Sequence, residues 1–193
     1  IGAAISGDSD WHVQVVIRGM PGRGKQANVG VRVRSDLVGT QVDLPVPFGK
    51  DKSAERSISI TINNAVEPVK TLRISYGRVL DALLDISADK QPATILKAAV
   101  TSGGAEPVLP EEAMILLSGD LNQVHITEWR PHLTGGDGTG LPVRLVLQGG
   151  GLEVQNYFLS EVTVAMDSAG DVWNIKVDGP AAAGDGQLVN TDA

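Results

Sequence analysis

Along most of the chain, apolar and polar side chains alternate one by one. "WHVQVVIR" (11–18) places Trp11, Val13, Val15 and Ile17 on one side and His12, Gln14 and Arg18 on the other. "VGVRVRS" (29–35) sets Val29, Val31 and Val33 against Arg32 and Arg34, and "SISITI" (57–62) sets Ile58, Ile60 and Ile62 against Ser and Thr. A strand turns successive side chains to opposite faces, so this period predicts half-buried β-strands. The same reading predicts strands near 40–44, 70–76, 79–86, 94–100, 113–118, 122–128, 142–148, 152–159, 161–167 and 172–178. Turn-forming clusters separate them: "GMPGRG", "NNAVEP", "SGGAEP", "GGDGTG" and "QGGG". "GRVLDALLDIS" (77–87) has some helical spacing, but its alternation after Tyr76-Gly77 favours a strand. "TEWRPHL" (127–133) is expected to make one short helical turn. The fold class expected is all-β: predominantly antiparallel strands in a curved sheet or sandwich-like array, with at most one or two short helical turns.

Alternation does not say what covers the apolar side. In a sandwich, two sheets bury their apolar faces against each other about 10 Å apart. In a trough, one sheet presents that face to a ligand, and the strand pattern is identical. Trp11, Val13, Val15, Ile17, Val29, Val31, Val33, Ile58, Ile60, Ile62, Ile115 and Leu117 are the candidates for this lipid-facing or core strand face.

Composition narrows the function. The 193 residues have room for one large or two small domains, and 42% of them are hydrophobic while only 4% are aromatic. The net charge of −7 disfavours nucleic acid as a partner, because phosphate binding calls for clustered Lys and Arg. Cysteine is absent, so no disulfide framework or thiolate chemistry is available. No apolar run reaches the roughly 18–20 residues that cross a bilayer, so this stretch is not itself membrane-spanning. The chain starts at Ile1 and reads as an internal piece of a longer polypeptide.

Chemistry-bearing motifs are few. "GMPGRGKQ" (19–26) fits G-x-x-x-x-G-K, but Gln26 stands where Ser or Thr would meet magnesium, and a strand rather than a helix is expected next. His12, His125 and His132 have no metal-ligand spacing, with Asp120 and Glu128 nearby. "GGDGTG" (135–140) is half of one calcium-repeat unit without the stacked copies such sites need. Glu111 with Glu112, or Asp81 with Asp85, could pair as in a glycosidase, and Ser118 lacks a nucleophile-elbow context. No converging constellation emerges, so the expectation is a non-enzyme without catalytic residues, cofactor or metal.

"SDLVGTQVDLPVPFGK" (35–50) resembles a phrase of the YhdP family of large AsmA-like proteins, approximately Ser-Asp-Leu-x-Gly-x-x-x-Asp-Leu-Pro-x-Pro-Leu-Gly-Lys. Ser35, Asp36, Leu37, Gly39, Asp43, Leu44, Pro45, Pro47, Gly49 and Lys50 match, and Phe48 replaces leucine. "LRISYGRVLDALLDI" (72–86), "ILLSGDLNQVHITEWRPHL" (115–133) and "WNIKVDGPAAAGDGQL" (173–188) are similar to later family segments. The resemblance implies one β-rich section, 1–193, of a longer AsmA-like protein, with a candidate subdivision near 101–112. It also implies a periplasmic location within an inner-membrane-anchored parent, and a part in phospholipid transport and outer-membrane barrier maintenance. The partners implied are phospholipid acyl chains and neighbouring segments of the parent chain. The alternatives are a closed β-sandwich scaffold or interaction domain and, less favoured, a carbohydrate-active enzyme. Pro45, Pro47 and Gly49 are expected to bend the chain at a strand end, because proline removes a ladder donor.

Overall fold

The computed structural model describes residues 4–18, 28–63, 67–89, 93–121, 124–125, 140–149, 152–154, 157–169, 172–180 and 182–189. Strands make up 61% of the structure and helix 1%. The expected all-β class is therefore what the chain forms. It divides into two compact units, Ile1–Leu96 and Lys97–Ala193.

The first unit contains β1 (Ile5–Gly7), β2 (His12–Arg18), β3 (Asn28–Ser35), β4 (Thr40–Val42), β5 (Ile58–Asn63), β6 (Val69–Tyr76) and β7 (Leu80–Ser87). Its main sheet runs in the order β7-β6-β5-β3-β2, every neighbour antiparallel. The segment 77–87 that left helix and strand open is strand β7, joined to β6 by a turn at Gly77 (φ 58°). "GMPGRGKQ" lies outside the described residues, and the next element along the chain is strand β3, not a helix.

β1 pairs with β4 as a small separate sheet. Two glycines allow their close approach: a Cβ on Gly7 (φ 95°) would collide with the Gly39 carbonyl, and one on Gly39 (φ 93°) with that of Asp8. The phrase 35–50 folds around this pair. Ser35 Oγ accepts from Leu37 N at 3.0 Å, holding Leu37 at φ 54°. Lys50, only 6% exposed, donates from Nζ to the carbonyls of Thr40 (2.5 Å) and Asp51 (2.9 Å). Leu37 and Val42 are buried beside it. Pro45, Pro47 and Gly49 sit in the turn between β4 and Lys50, where the Val46–Pro47 peptide is cis and both Phe48 N and Gly49 N donate to the Pro45 carbonyl.

The second unit contains most of β8 (Thr94–Ser102), then β9 (Ile115–Leu121), β10 (Val124–His125), β11 (Val143–Gly149), β12 (Leu152–Val154), β13 (Tyr157–Leu159), β14 (Val162–Ala169), β15 (Val172–Asp178) and β16 (Gly184–Val189). Its main sheet runs β16-β15-β14-β11-β9-β8. β9 is parallel to both β8 and β11, a departure from an otherwise antiparallel pattern. A parallel pair needs a connection that returns along the strand. Residues 103–114 provide one without a helix: Thr101 Oγ1 donates to the Ala105 carbonyl at 2.6 Å and Lys97 Nζ to that of Pro110 at 3.2 Å.

The single strand expected over 152–159 is instead the hairpin β12–β13, with Val154 opposite Tyr157. The sequence does mark the break: the period shifts phase from Leu152 and Val154 to Tyr157 and Leu159 across the two polar residues Gln155 and Asn156. The three-stranded sheet β10-β12-β13 repeats the order β9-β11-β14 of the main sheet. The breaks fall after Gly149 and around Glu161 (φ 55°). β1 and β16 are additions that alternation did not predict; Gly184 and Gly186 interrupt the pattern in β16. The short turn expected at 127–133 lies outside the described residues.

Candidate functional site

Residues opposite one another in a ladder share a face. In the first unit the register therefore assembles one apolar surface. Val13, Val15 and Ile17 of β2 stand against Val33, Val31 and Val29 of β3. Val31 and Val33 stand against Ile62 and Ile60, which meet Leu72 and Ile74 of β6, and these meet Leu84 and Ala82 of β7. Ile58, Tyr76 and Leu80 extend the row at the end nearest the 35–50 phrase. Five strands by about six residues make this surface roughly 20 Å by 20 Å, on the order of 400 Å², within the range of the largest, often functional, apolar patch on a soluble monomer.

The opposite face is polar. It carries His12, Gln14, Val16 and Arg18 on β2, Gly30, Arg32 and Arg34 on β3, Ser59, Thr61 and Asn63 on β5, and Thr71, Arg73 and Ser75 on β6. On β7, Asp81 accepts from Ser75 Oγ at 2.5 Å and Asp85 from Thr71 Oγ1 at 2.8 Å, each tied to its own cross-strand partner. Four strand residues separate the two carboxylates, about 13 Å, wider than the roughly 5–9.5 Å of a glycosidase pair.

In the second unit the same logic places Ile115 and Leu117 with Ala98 and Val100 of β8 and with Val143 and Leu145 of β11. Leu145 and Leu147 then meet Met166 and Val164, which meet Ile175 and Val177. Its other face carries Arg144, whose Nε donates to Asp167 Oδ1 at 2.6 Å. That hydrogen bond, and then the charge of Asp167, raise the Arg144 pKa above its ordinary value.

Among the described residues no second layer of side chains seals these faces. Among the described residues only Leu37, Val42, Ala82, Ala98, Ala99 and Val162 are buried apolar groups, three of them alanine, and no side chain is fully buried. Val13, Val15 and Ile17 are 65%, 58% and 67% exposed, and Trp11, just before β2, 47%. The sheets are open rather than closed into the sandwich held as an alternative.

The 35–50 phrase bounds the apolar face at one end. Arg56 Nη1 donates to the carbonyls of Pro47 (3.0 Å) and Phe48 (3.3 Å), and its guanidinium lies 5.1 Å from the centre of the Tyr76 ring. Tyr76 Oη donates to the Phe48 carbonyl at 3.1 Å. Tyr76 belongs to the apolar row, so the Pro-x-Pro turn is pinned to the rim of that surface.

Of the residues singled out from the sequence, Val13, Val15, Ile17, Val29, Val31, Val33, Ile58, Ile60 and Ile62 come together on one face, and Ile115 and Leu117 lie on the corresponding face of the second unit. Leu72, Ile74, Tyr76, Leu80, Ala82, Leu84 and Ile86 were missed, as were Val143, Leu145, Leu147, Val164, Met166, Ile175 and Val177, although the same alternation marks them. His12 lies exposed on the polar face, and no group of three or more His, Cys, Asp or Glu side chains positioned to hold a metal occurs among the described residues.

The described strands of the first unit form a β-sheet with one aliphatic and one polar face. The chain belongs to the YhdP protein family, whose model matches residues 1–193. That family is one of membrane-associated envelope proteins and is not known as an enzyme family. No helix among the described residues is long and apolar enough to cross a membrane. No curated protein and no solved structure matches the chain.

Proposed function

We propose that this chain is a non-enzymatic section of a periplasmic lipid path. Its aliphatic faces carry phospholipid acyl chains between the inner and outer membranes, and so maintain the outer-membrane barrier. One observation carries the reading: a β-sheet whose apolar side leaves Val13, Val15 and Ile17 largely exposed, with no layer over it among the described residues. An acyl chain of roughly sixteen carbons costs on the order of 12 kcal/mol to move through water, at about 0.8 kcal/mol per methylene. A smooth Val, Ile and Leu lining removes much of that cost without fixing the chain in place. A specific pocket would instead need a few converging polar groups, and this face has none. Family membership supports the envelope setting.

The test is photolabelling of the purified chain with a phospholipid carrying a diazirine in its acyl tail, followed by peptide mapping. Adducts are expected on Val15, Ile60 and Ile74 and not on Thr61 or Ser75, which directly follow Ile60 and Ile74 in sequence but lie on the other face. Labelling spread equally over both faces, or none, overturns the proposal.

A further inference from the structure

We propose that the polar face of the first unit holds a binding site for a phosphate-bearing anion, seated over Gly30 and gripped by Arg18 and Arg32. Three observations meet there. A cavity of about 290 Å³ opens on this face, lined among others by Gln14, Arg18, Gly30, Arg32, Thr61 and Asn63. It exists because β3 has no side chain at Gly30, directly opposite Val16. Arg18 and Arg32 stand on either side of the gap, four strand residues or about 13 Å apart along the sheet, a distance two extended guanidinium arms can close.

Charge gives the ligand its sign. Among the described residues neither Arg18 nor Arg32 has an ion-pair partner, in contrast to Arg144 with Asp167. The polar faces of β2, β3 and β5 carry no carboxylate; the first acidic groups on this face, Asp81 and Asp85, lie three strands from β3, about 14 Å away, and are engaged by Ser75 and Thr71. The sequence is also uneven: residues 1–96 hold twelve Lys and Arg against ten Asp and Glu, a net of +2, while 97–193 hold four against thirteen, a net of −9.

Chemistry gives the ligand its class. Guanidinium forks match tetrahedral oxyanions in bidentate fashion, and two of them favour phosphate over a single carboxylate. The amides of Gln14 and Asn63 and the hydroxyl of Thr61 supply further neutral donors around the same opening. The ligand is thus a phosphate mono- or diester, either a lipid headgroup or a free phosphate. The site faces away from the aliphatic surface and does not depend on the lipid-path reading.

The experiment is an NMR titration of the intact 193-residue chain, following backbone amides, with inorganic phosphate and separately with glycerophosphoethanolamine, a headgroup without acyl chains. Shifts are expected at Gly30, Val31, Thr61 and Asn63, and affinity should fall with added salt. Arg32→Ala should weaken binding at least tenfold. Gly30→Leu should do the same by filling the gap. A Cβ there meets only the Ile62 and Val16 carbonyls at 3.8 and 3.9 Å, ordinary contact distances, and circular dichroism checks that the variant stays folded. Tighter binding of the diester assigns a headgroup, tighter binding of phosphate a free anion. Absent shifts, shifts matched by chloride at equal ionic strength, affinity unchanged in both variants, or binding only to phosphatidylglycerol vesicles would each overturn the site. Because neither titrant has an acyl chain, failure here leaves the aliphatic-face proposal standing.

Discussion

Replacing Val13, Val15 and Ile17 together by threonine separates a lining surface from a buried core. Threonine keeps the β-branch and therefore the strand preference, so the change falls on surface character alone. With exposures of 65%, 58% and 67%, each side chain is only about one third removed from water. Full burial of such a side chain is worth about 1.5–3 kcal/mol. The share at risk is then about 0.5–1 kcal/mol each, or about 2 kcal/mol for the triple variant. Were the same residues inside a closed sandwich, each unpaired hydroxyl would add about 1–3 kcal/mol, taking the total past about 5 kcal/mol, the whole stability of many domains. Urea unfolding followed by circular dichroism measures the difference, and quantitative lipidomics of the purified chain measures bound lipid. A folded variant, about 2 kcal/mol less stable and depleted several-fold in co-purified phospholipid, is expected. An unfolded variant would refute the open-face reasoning; a folded one with undiminished lipid would refute the acyl-chain contact.

Lys50→Met should cost about 2–4 kcal/mol, because it strands the buried Thr40 carbonyl and loses a charge-assisted bond to Asp51 O; a loss below about 1 kcal/mol in urea denaturation would contradict the anchoring role. Gly119→Ala should destabilise by about 1–3 kcal/mol, since the new Cβ would fall on Ser102 Oγ. Ser102→Ala should be neutral or slightly stabilising in thermal unfolding, because Ser102 Oγ is buried with no hydrogen-bond partner among the described residues. Arg144 gives no pH dependence in the working range: its folded pKa is raised, so its contribution is present below the unfolded value and lost only as pH rises through the folded one, above neutral and mildly basic conditions. Stability curves of the parent chain and Arg144→Gln should therefore run parallel from pH 7 to 10.

Strand identity was legible because alternation is a local property. "SISITI" reads as a strand in any context, and β5 is where it falls. The hairpin at 152–159 was legible only as a phase shift, from Leu152 and Val154 to Tyr157 and Leu159 across two adjacent polar residues, and β16 was hidden by its glycines. The parallel placement of β9 depends on where residues 103–114 lead the chain, which no local pattern records. The cavity at Gly30 was likewise invisible: a glycine in a strand becomes an opening only when Arg32 beside it and Arg18 on the next strand are known to share its face.

The order of side chains by itself determined that each strand has a greasy and a wet side, and that the phrase around Pro45 and Pro47 resembles one family. Only the tertiary structure decided what meets the greasy side. Alternation gives every strand the same demand to hide one face, and that demand can be met by another sheet or by a ligand. Register and strand order, set by contacts distant in sequence, left that face open among the described residues.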